Sequence, residues 1–197
     1  YYGICGGCQM QHVPYGLQVS IKREILKDCL RRLAQIETDI SEELIGTDAW
    51  HYRLRAQFKV SEGAIGLHKK GATEVVRTGQ CLLMQKEIND AIPVLNGILG
   101  KFNIRELHIT AGDSLIAQVI TRGHALASAE ELDMLASDLS RAGISGCMAF
   151  RGGSPPVNSG RTYTALQLGS LTYTISPPSF IQCNWTLNRK VVEYISN

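Results

Sequence analysis

The sequence predicts an α+β fold in which helices pack on one side of an antiparallel sheet. Residues 52–60 alternate in polarity, and Glu62-Gly63 then leads into a second short apolar run, as in a β-hairpin. Further along, helical patterns are separated by groups of strand patterns, which is the order expected of an α+β domain. No G-x-G-x-x-G sequence follows a predicted strand, so these residues contain no predicted dinucleotide-binding cradle.

The first regular element is a helix predicted over residues 16–34. Apolar residues such as Leu17, Ile21 and Ile25 recur there at helical spacing with basic residues between them. We therefore expect an amphipathic helix with one buried stripe and one positively charged face.

The remaining elements follow from alternating polarity, helical periodicity and turn residues. A Gly/Pro/Ser-rich loop is predicted over residues 151–160. The predicted strands are 52–60, 64–68, 74–77, 105–110, 115–121, 147–150, 162–168 and 171–175, and the predicted helices are 85–99, 129–141 and one beginning near residue 184.

We divide the chain into a cysteine-rich loop with its helix (1–50), a central α+β domain (51–176) and the start of a linker helix (177–197). The 197 residues are 44% hydrophobic and 19% charged, as in globular proteins, and the net charge is only +2. No apolar run is long enough for a membrane span and no signal peptide is evident, so we expect a cytoplasmic protein without membrane contact. Nothing in the sequence predicts an oligomeric state.

The cysteines indicate a metal or redox site near the N-terminus. Cys5-Gly-Gly-Cys8 brings two thiols to one point, and this spacing suits a zinc site, an iron–sulfur cluster or a redox-active pair. Cys81 is the best candidate for a third ligand. The other three cysteines lie in apolar patterns, where a free thiol behaves as a small hydrophobic group; they are Cys29, Cys147 and Cys183.

Four separated blocks of sequence resemble one enzyme family. The first block reads Cys5-Gly-Gly-Cys8-Gln-Met-Gln-His12, and the second reads Tyr52-Arg-Leu-Arg-Ala56 followed by Ile65-Gly-Leu-His-Lys-Lys-Gly71. Glu74-Val-Val leading to Cys81 and Ser179-Phe-Ile-Gln-Cys-Asn184 complete the set. Together they resemble the S-adenosylmethionine-dependent RNA (uracil-5-)methyltransferases, most closely the branch that modifies 23S ribosomal RNA.

The resemblance implies a [4Fe–4S] cluster held by four cysteines. Cys5, Cys8 and Cys81 match the second, third and fourth ligands, and the first would lie a few residues upstream of Cys5. Because the chain begins after that position, we expect the cluster to be incomplete or absent in this chain alone.

The resemblance also implies an N-terminal RNA-binding β-barrel and a C-terminal Rossmann-like methyltransferase domain, and we expect neither in this chain. The catalytic cysteine that adds to C6 of uracil belongs to that C-terminal domain, so no catalytic residue is assigned here and the isolated chain is predicted to be inactive. Gln182 matches the glutamine that borders the pocket for S-adenosylmethionine and the target base, and Phe180 would supply an apolar or stacking wall. The full-length protein would transfer the methyl group from S-adenosylmethionine to C5 of a uridine.

Basic residues provide the predicted RNA contacts. Arg53 and Arg55 project from the same face of a strand because they are two residues apart. The resemblance favours RNA contact for both, and Lys69 and Lys70 on the neighbouring hairpin are further candidates for phosphate binding. Tyr52 and His68 could stack on an unpaired base; an ordinary solvated role for each single charge stays open.

Three alternative functions also fit the sequence. The chain could be a non-catalytic RNA-binding module with a metal-stabilised loop, or part of a tRNA-directed member of the same family. A zinc-binding structural domain is the third alternative, and it would leave the blocks beyond the cysteines without explanation.

Overall fold

The computed structural model describes residues 1–40, 45–123 and 128–196, and the mixed α/β fold has a seven-stranded sheet at its centre. The elements in chain order are α1 (Tyr15–Cys29), β1 (Arg55–Ser61), β2 (Ala64–His68), β3 (Val75–Arg77), α2 (Lys86–Ile98), β4 (Ile104–Ala111), β5 (Leu115–Thr121), α3 (Ala129–Arg141), β6 (Ile144–Phe150), β7 (Val157–Gly160), β8 (Thr164–Leu168), β9 (Leu171–Ile175) and α4 (Trp185–Ser196).

The large sheet has the strand order β3-β2-β1-β4-β5-β6-β7. Five of its neighbouring pairs are antiparallel, but β5 and β6 run parallel. A parallel pair needs a crossover connection, and α3 supplies it between these two strands. The predicted purely antiparallel sheet is therefore wrong at this pair, and the predicted loop over residues 151–160 is wrong at its end, where β7 pairs with β6.

One hydrophobic core lies between this sheet and helices α2 and α3. Alternate residues of β1 point into it, and Phe58, which is fully buried, sits opposite Leu107 of β4. Ile92 of α2 and Leu135 of α3 are fully buried against the same face. Both helices therefore cover one side of the sheet, as the sequence predicted.

The first helix differs from its prediction. α1 ends at Cys29 and continues as a π-helical turn over Leu30–Ala34. No residue of α1 is buried against the described parts of the chain, and Leu17 and Ile25 are more than half exposed. The predicted apolar stripe exists, but within residues 1–40, 45–123 and 128–196 nothing buries it.

The β8–β9 hairpin forms a separate two-stranded sheet that is joined to the β4–β5 turn through Asp113. The Asp113 carboxylate accepts hydrogen bonds from Arg161 Nη2 (2.7 Å), Thr164 Oγ1 (3.0 Å) and the Ala165 amide (2.9 Å). These donors, Arg161 first, lower the pKa of Asp113 to about 2.

None of the described helices is both long enough and apolar enough to cross a bilayer.

Candidate functional site

The cysteine loop, residues 1–14, docks on the end of β2. The Gly6 amide donates a hydrogen bond to the His68 carbonyl (2.9 Å), and Cys5 pairs with Lys69 in an isolated antiparallel bridge. A Cβ atom at Gly6 would lie 3.3 Å from the His68 carbonyl oxygen, so a side chain there would push the loop away from the strand. The glycine thus permits the close approach that places Cys5 beside the sheet.

Cys81 is held on the opposite side of the loop by helix α2. Its amide donates to Asn89 Oδ1 (2.8 Å), and Asn89 Nδ2 donates back to the carbonyls of Cys81 (3.0 Å) and Met84 (2.9 Å). The side-chain amide of Asn89 therefore fixes the turn that carries Cys81. Asn89 could not be identified from the sequence, because its role depends on these reciprocal hydrogen bonds and not on a sequence motif.

Three thiols predicted as ligands line one cavity of about 390 Å³, which we call the cysteine cavity. They are Cys5, Cys8 and Cys81, and the rings of Tyr1, Tyr2 and Trp50 form part of the wall. Burial raises the pKa of the Cys8 thiol, and the neighbouring Cys81 and Cys5 raise it further. Three thiolates in one cavity repel each other, so a bound cation would be needed to ionise them together.

Among the described residues, no group of His, Cys, Asp or Glu side chains is placed to hold a metal ion, and only the ligand type of the three thiols fits an iron–sulfur cluster. A zinc ion requires all its thiolates at about 2.3 Å from one point. In a cluster, the thiolates bind different iron atoms and can lie further apart. Three soft sulfur ligands around an apolar-walled cavity therefore match an iron–sulfur group in kind.

The remaining cysteines lie elsewhere. Cys29 is exposed on α1, which disagrees with the buried role expected for it, and Cys183 is half-buried behind β1. Cys147 is fully buried in β6, and burial raises its pKa to about 11, as expected for a thiol that acts as a small hydrophobic group. Among the cysteines in the part of the chain that is described, none supplies a fourth thiol to the cysteine cavity.

The two arginines at the start of β1 have different environments. Arg55 is only 8% exposed; its Nη1 donates to the Ser179 carbonyl and its Nη2 to the Pro177 carbonyl (2.6 Å). These two bonds hold the turn at residues 177–179, and the RNA contact expected for Arg55 stays a prediction. Arg53 is half-buried, and its backbone is bridged to Met84 on one side and Asn184 on the other.

The two lysines predicted to bind RNA lie beside the cysteine loop. Lys69 and Lys70 are exposed at the end of β2, and the Lys70 amide donates to the Ile4 carbonyl (2.9 Å). Lys69 Nζ forms an ion pair with Glu74 (2.9 Å) in which both side chains are largely solvated. Such a pair is weak and can be exchanged for a phosphate.

The segment that carries Phe180 and Gln182 presents both side chains to solvent. Phe180 is 84% exposed, and Gln182 makes no side-chain hydrogen bond within residues 1–40, 45–123 and 128–196. The turn before them is fixed by Arg55 and by a hydrogen bond between the Ser176 and Ser179 hydroxyls (2.8 Å). The two candidate pocket residues are therefore displayed from a rigid base.

Trp50 is a second site residue that could not be identified from the sequence. It lines the cysteine cavity and also a second, larger cavity on the other side of the cysteine loop. A single tryptophan between two segments without periodicity gives no pattern to detect. Its adjacency to Tyr52, which lies in the second block of resemblance, is the only sequence signal that could have drawn notice to it.

Comparison with known proteins supplies relatives over nearly the whole chain. No protein-family model matches. The chain is 30% identical over 196 residues to an uncharacterized RNA methyltransferase of Aquifex aeolicus, covering 95% of this chain and 46% of that protein. It is 28% identical over 213 aligned residues to the 23S rRNA (uracil(1939)-C(5))-methyltransferase RlmD of Shewanella amazonensis, covering 100% and 47%.

A solved structure shares the fold. The tRNA (uracil-54, C5)-methyltransferase of Pyrococcus abyssi, in complex with S-adenosyl-L-homocysteine, matches with a TM-score of 0.76 and 19% identity. The match covers 98% of this chain and 50% of that one. The chain thus spans about half the length of the relatives it matches.

Proposed function

The chain is homologous to RNA (uracil-5-)methyltransferases over about half of their length, and we propose that the protein containing it methylates C5 of a uridine in 23S ribosomal RNA. The observation that carries this proposal is the match of the chain, over 213 aligned residues, to a 23S rRNA (uracil(1939)-C(5))-methyltransferase. In this scheme the chain contributes RNA recognition and a cysteine-held cluster, and methyl transfer takes place in a Rossmann-like domain outside it.

In this proposal Gln182 and Phe180 are the residues of the chain that border the pocket for S-adenosylmethionine and the target uridine. The Gln182 amide can donate and accept hydrogen bonds at once, which suits a polar cofactor edge or a uracil edge. Phe180 offers an exposed ring on which a base can stack. S-adenosylmethionine, when bound, supplies an electrophilic methyl group, and these two side chains orient and shield what lies beside it.

No cysteine of this chain is assigned as the nucleophile. Cys147 is fully buried and its pKa is about 11, so it remains a protonated thiol at neutral pH. Cys5, Cys8 and Cys81 are assigned to the cluster. The chain's own contribution to catalysis is therefore binding and positioning.

Cys5, Cys8 and Cys81 supply three ligands of a [4Fe–4S] cluster in this proposal. Burial, followed by the neighbouring Cys81 and Cys5, raises the pKa of Cys8, so these thiols would lose their protons only when the cluster binds. When bound, the cluster would hold the cysteine loop against the end of β2, where Lys69 and Lys70 are exposed, and Arg53 is half-buried near Cys8. These three cations provide contacts to the RNA backbone.

Release of tritium from RNA that carries [5-³H]uridine tests the activity directly, since methylation at C5 displaces that hydrogen. We expect the full-length protein with S-adenosylmethionine to release tritium from a 23S rRNA transcript, and the isolated chain to release none. Gln182→Ala should reduce release, whereas Gln167→Ala, at an exposed position of β8, should not. Release from tRNA alone would identify a tRNA-directed enzyme, and RNA binding without release would favour a non-catalytic RNA-binding module.

Iron and sulfide analysis after anaerobic purification of the full-length protein tests the cluster. We expect a brown protein with equal iron and sulfide, a colour that Cys81→Ser abolishes. Cys29→Ser is the matched control, because this thiol is exposed on α1 and does not line the cysteine cavity. Zinc in place of iron, or an unchanged spectrum in Cys81→Ser, would contradict the assignment.

A further inference from the structure

A second cavity, of about 670 Å³, lies between the cysteine loop, the start of α1 and the start of α4. We propose that it binds an unpaired nucleobase of the RNA, at a position away from the reacting uridine; this rests on the proposed function. We call it the amide–aromatic cavity after the side chains that line it, namely Gln11, Tyr15, Gln18, Lys22, Trp50 and Tyr52.

The aromatic groups supply a stacking surface. Trp50 is 39% exposed, and its side chain lines the amide–aromatic cavity on one side and the cysteine cavity on the other. Tyr52 is half-buried and lines the same cavity, and its hydroxyl can donate one hydrogen bond. Stacking on such rings is how proteins capture bases of single-stranded nucleic acid.

The polar groups match the edge of a base and its phosphate. Gln18 Nε2 donates to the Val13 carbonyl (2.8 Å). This bond fixes the orientation of the Gln18 amide and leaves its Oε1 available as an acceptor. Within the described residues, the side chains of Gln11 and Lys22 make no hydrogen bond or ion pair. An amide offers donor and acceptor together, as the Watson–Crick edge requires, and a lysine at the rim suits a phosphate.

The cavity is built in advance of any ligand. Tyr15 is the first residue of α1, and its hydroxyl packs against the buried Gly46, where an added Cβ atom would lie 2.9 Å from the hydroxyl oxygen. On the α4 side, Asn184 Oδ1 accepts from the Leu187 amide (2.9 Å) and fixes the start of the helix. Walls held in this way lose little entropy on binding, which is typical of a ligand site.

The charge of the lining selects an anionic ligand. No carboxylate is among the residues that line the cavity, whereas Lys22 contributes a positive charge. Apolar residues such as Met10, Val13 and Leu83 also line the cavity, so that it combines apolar contact with hydrogen-bonding groups. A nucleotide in an extended RNA strand satisfies both conditions.

Fluorine NMR of the full-length protein labelled with 5-fluorotryptophan tests the proposal. The Trp50 signal is identified as the one missing from Trp50→Phe, and Trp185 of α4, whose indole donates to the Gln167 carbonyl (2.9 Å), serves as the internal control. A short unstructured RNA oligonucleotide should shift the Trp50 signal in a saturable way and leave that of Trp185 in place. The same sequence as a duplex should shift neither.

Variants measure the contribution to affinity. We expect Trp50→Leu to weaken binding of the oligonucleotide about tenfold, as loss of one stacked base predicts, and Lys22→Gln to weaken it a few-fold with a smaller salt dependence. Trp50→Phe retains a ring and should bind nearly as well. An unchanged Trp185 signal in Trp50→Leu shows that the fold around α4 is intact.

The outcomes separate this proposal from the proposed function. If anisotropy shows RNA binding while the Trp50 signal stays unmoved, or if duplex RNA moves it equally, the base-binding cavity is overturned and the methyltransferase assignment stands. If neither RNA binding nor tritium release occurs, the proposed function itself fails. If Trp50→Phe weakens binding as strongly as Trp50→Leu, stacking is not the interaction and the proposal is overturned.

Discussion

The central sheet and the N-terminal region are stabilised in different ways. The sheet with α2 and α3 encloses a continuous core in which Phe58, Leu107 and Ile92 are fully buried. In α1 no residue is buried against the described chain, and the cysteine loop is held mainly by backbone hydrogen bonds to the end of β2. The scaffold is thus stabilised by hydrophobic burial, and several of the candidate binding groups lie in the region that burial stabilises least.

Truncation of a core side chain should give the largest loss in the free energy of unfolding, and truncation on the N-terminal helix should give almost none. We expect Phe58→Ala to lower the free energy of unfolding by about 3–5 kcal/mol, because it removes a fully buried ring and leaves a cavity. Leu33→Ala, at a residue that is 84% exposed, should change it by less than about 0.5 kcal/mol. Urea unfolding followed by circular dichroism measures both, and equal losses would refute the contrast.

Arg55 links the sheet to the C-terminal segment, and its loss should have the next largest effect. Arg55→Met leaves the carbonyls of Pro177 and Ser179 without their donor, at a cost of about 1–3 kcal/mol. Limited proteolysis should then cut near residue 180. Arg77→Met, at an exposed position of β3, is the matched control, and cleavage of both variants at the same rate would argue against this role.

The turn at Asp113 should give a smaller, pH-dependent effect. The folded state lowers the pKa of Asp113 from 3.8 to about 2, so its stabilisation is present above pH 3.8 and is lost as the pH falls toward 2. Asp113→Asn should therefore lower the melting temperature at pH 7 and make no difference at pH 2. Asp133→Asn, at an exposed position of α3, should not reproduce this profile, and a difference that persists at pH 2 would contradict it.

Loss of a cysteine-loop thiol should affect the sheet least. We expect Cys8→Ser to change the free energy of unfolding of the isolated chain by less than about 0.5 kcal/mol. Hydrogen exchange should nevertheless quicken at the Gly6 amide, which donates to His68, and stay unchanged at Leu107 in β4. A shift of the main unfolding transition by more than about 1 kcal/mol would show that the two regions are not separable in this way.

Local chemistry made much of the fold predictable. The Glu62-Gly63 turn joins β1 and β2 as expected, with both residues at positive φ. Ser128 and Glu131 form a reciprocal capping box at the start of α3, which begins at the predicted residue. These features depend on neighbours within a few residues, and such interactions are visible in a sequence.

Features that depend on distant neighbours were harder to predict. β7 is mostly polar and is a strand only because β6 provides its pairing partner. The periodicity of α1 identified an apolar stripe but could not say what covers it. At the site, Cys81 was the best candidate for a third ligand and the resemblance supported it, although the 72 positions between Cys8 and Cys81 carry no spacing signal. Trp50 was not found at all.

The hydrogen bonds of Arg55 also have a consequence for synthesis of the protein. Its guanidinium donates to the carbonyl of Pro177, 122 residues further along the chain. At a translation rate of about 5–20 residues per second, that partner leaves the ribosome on the order of ten seconds after Arg55. For that interval the Arg55 guanidinium lacks its carbonyl partners. The start of β1 reaches its final hydrogen bonding only after residues 177–179 have been synthesised.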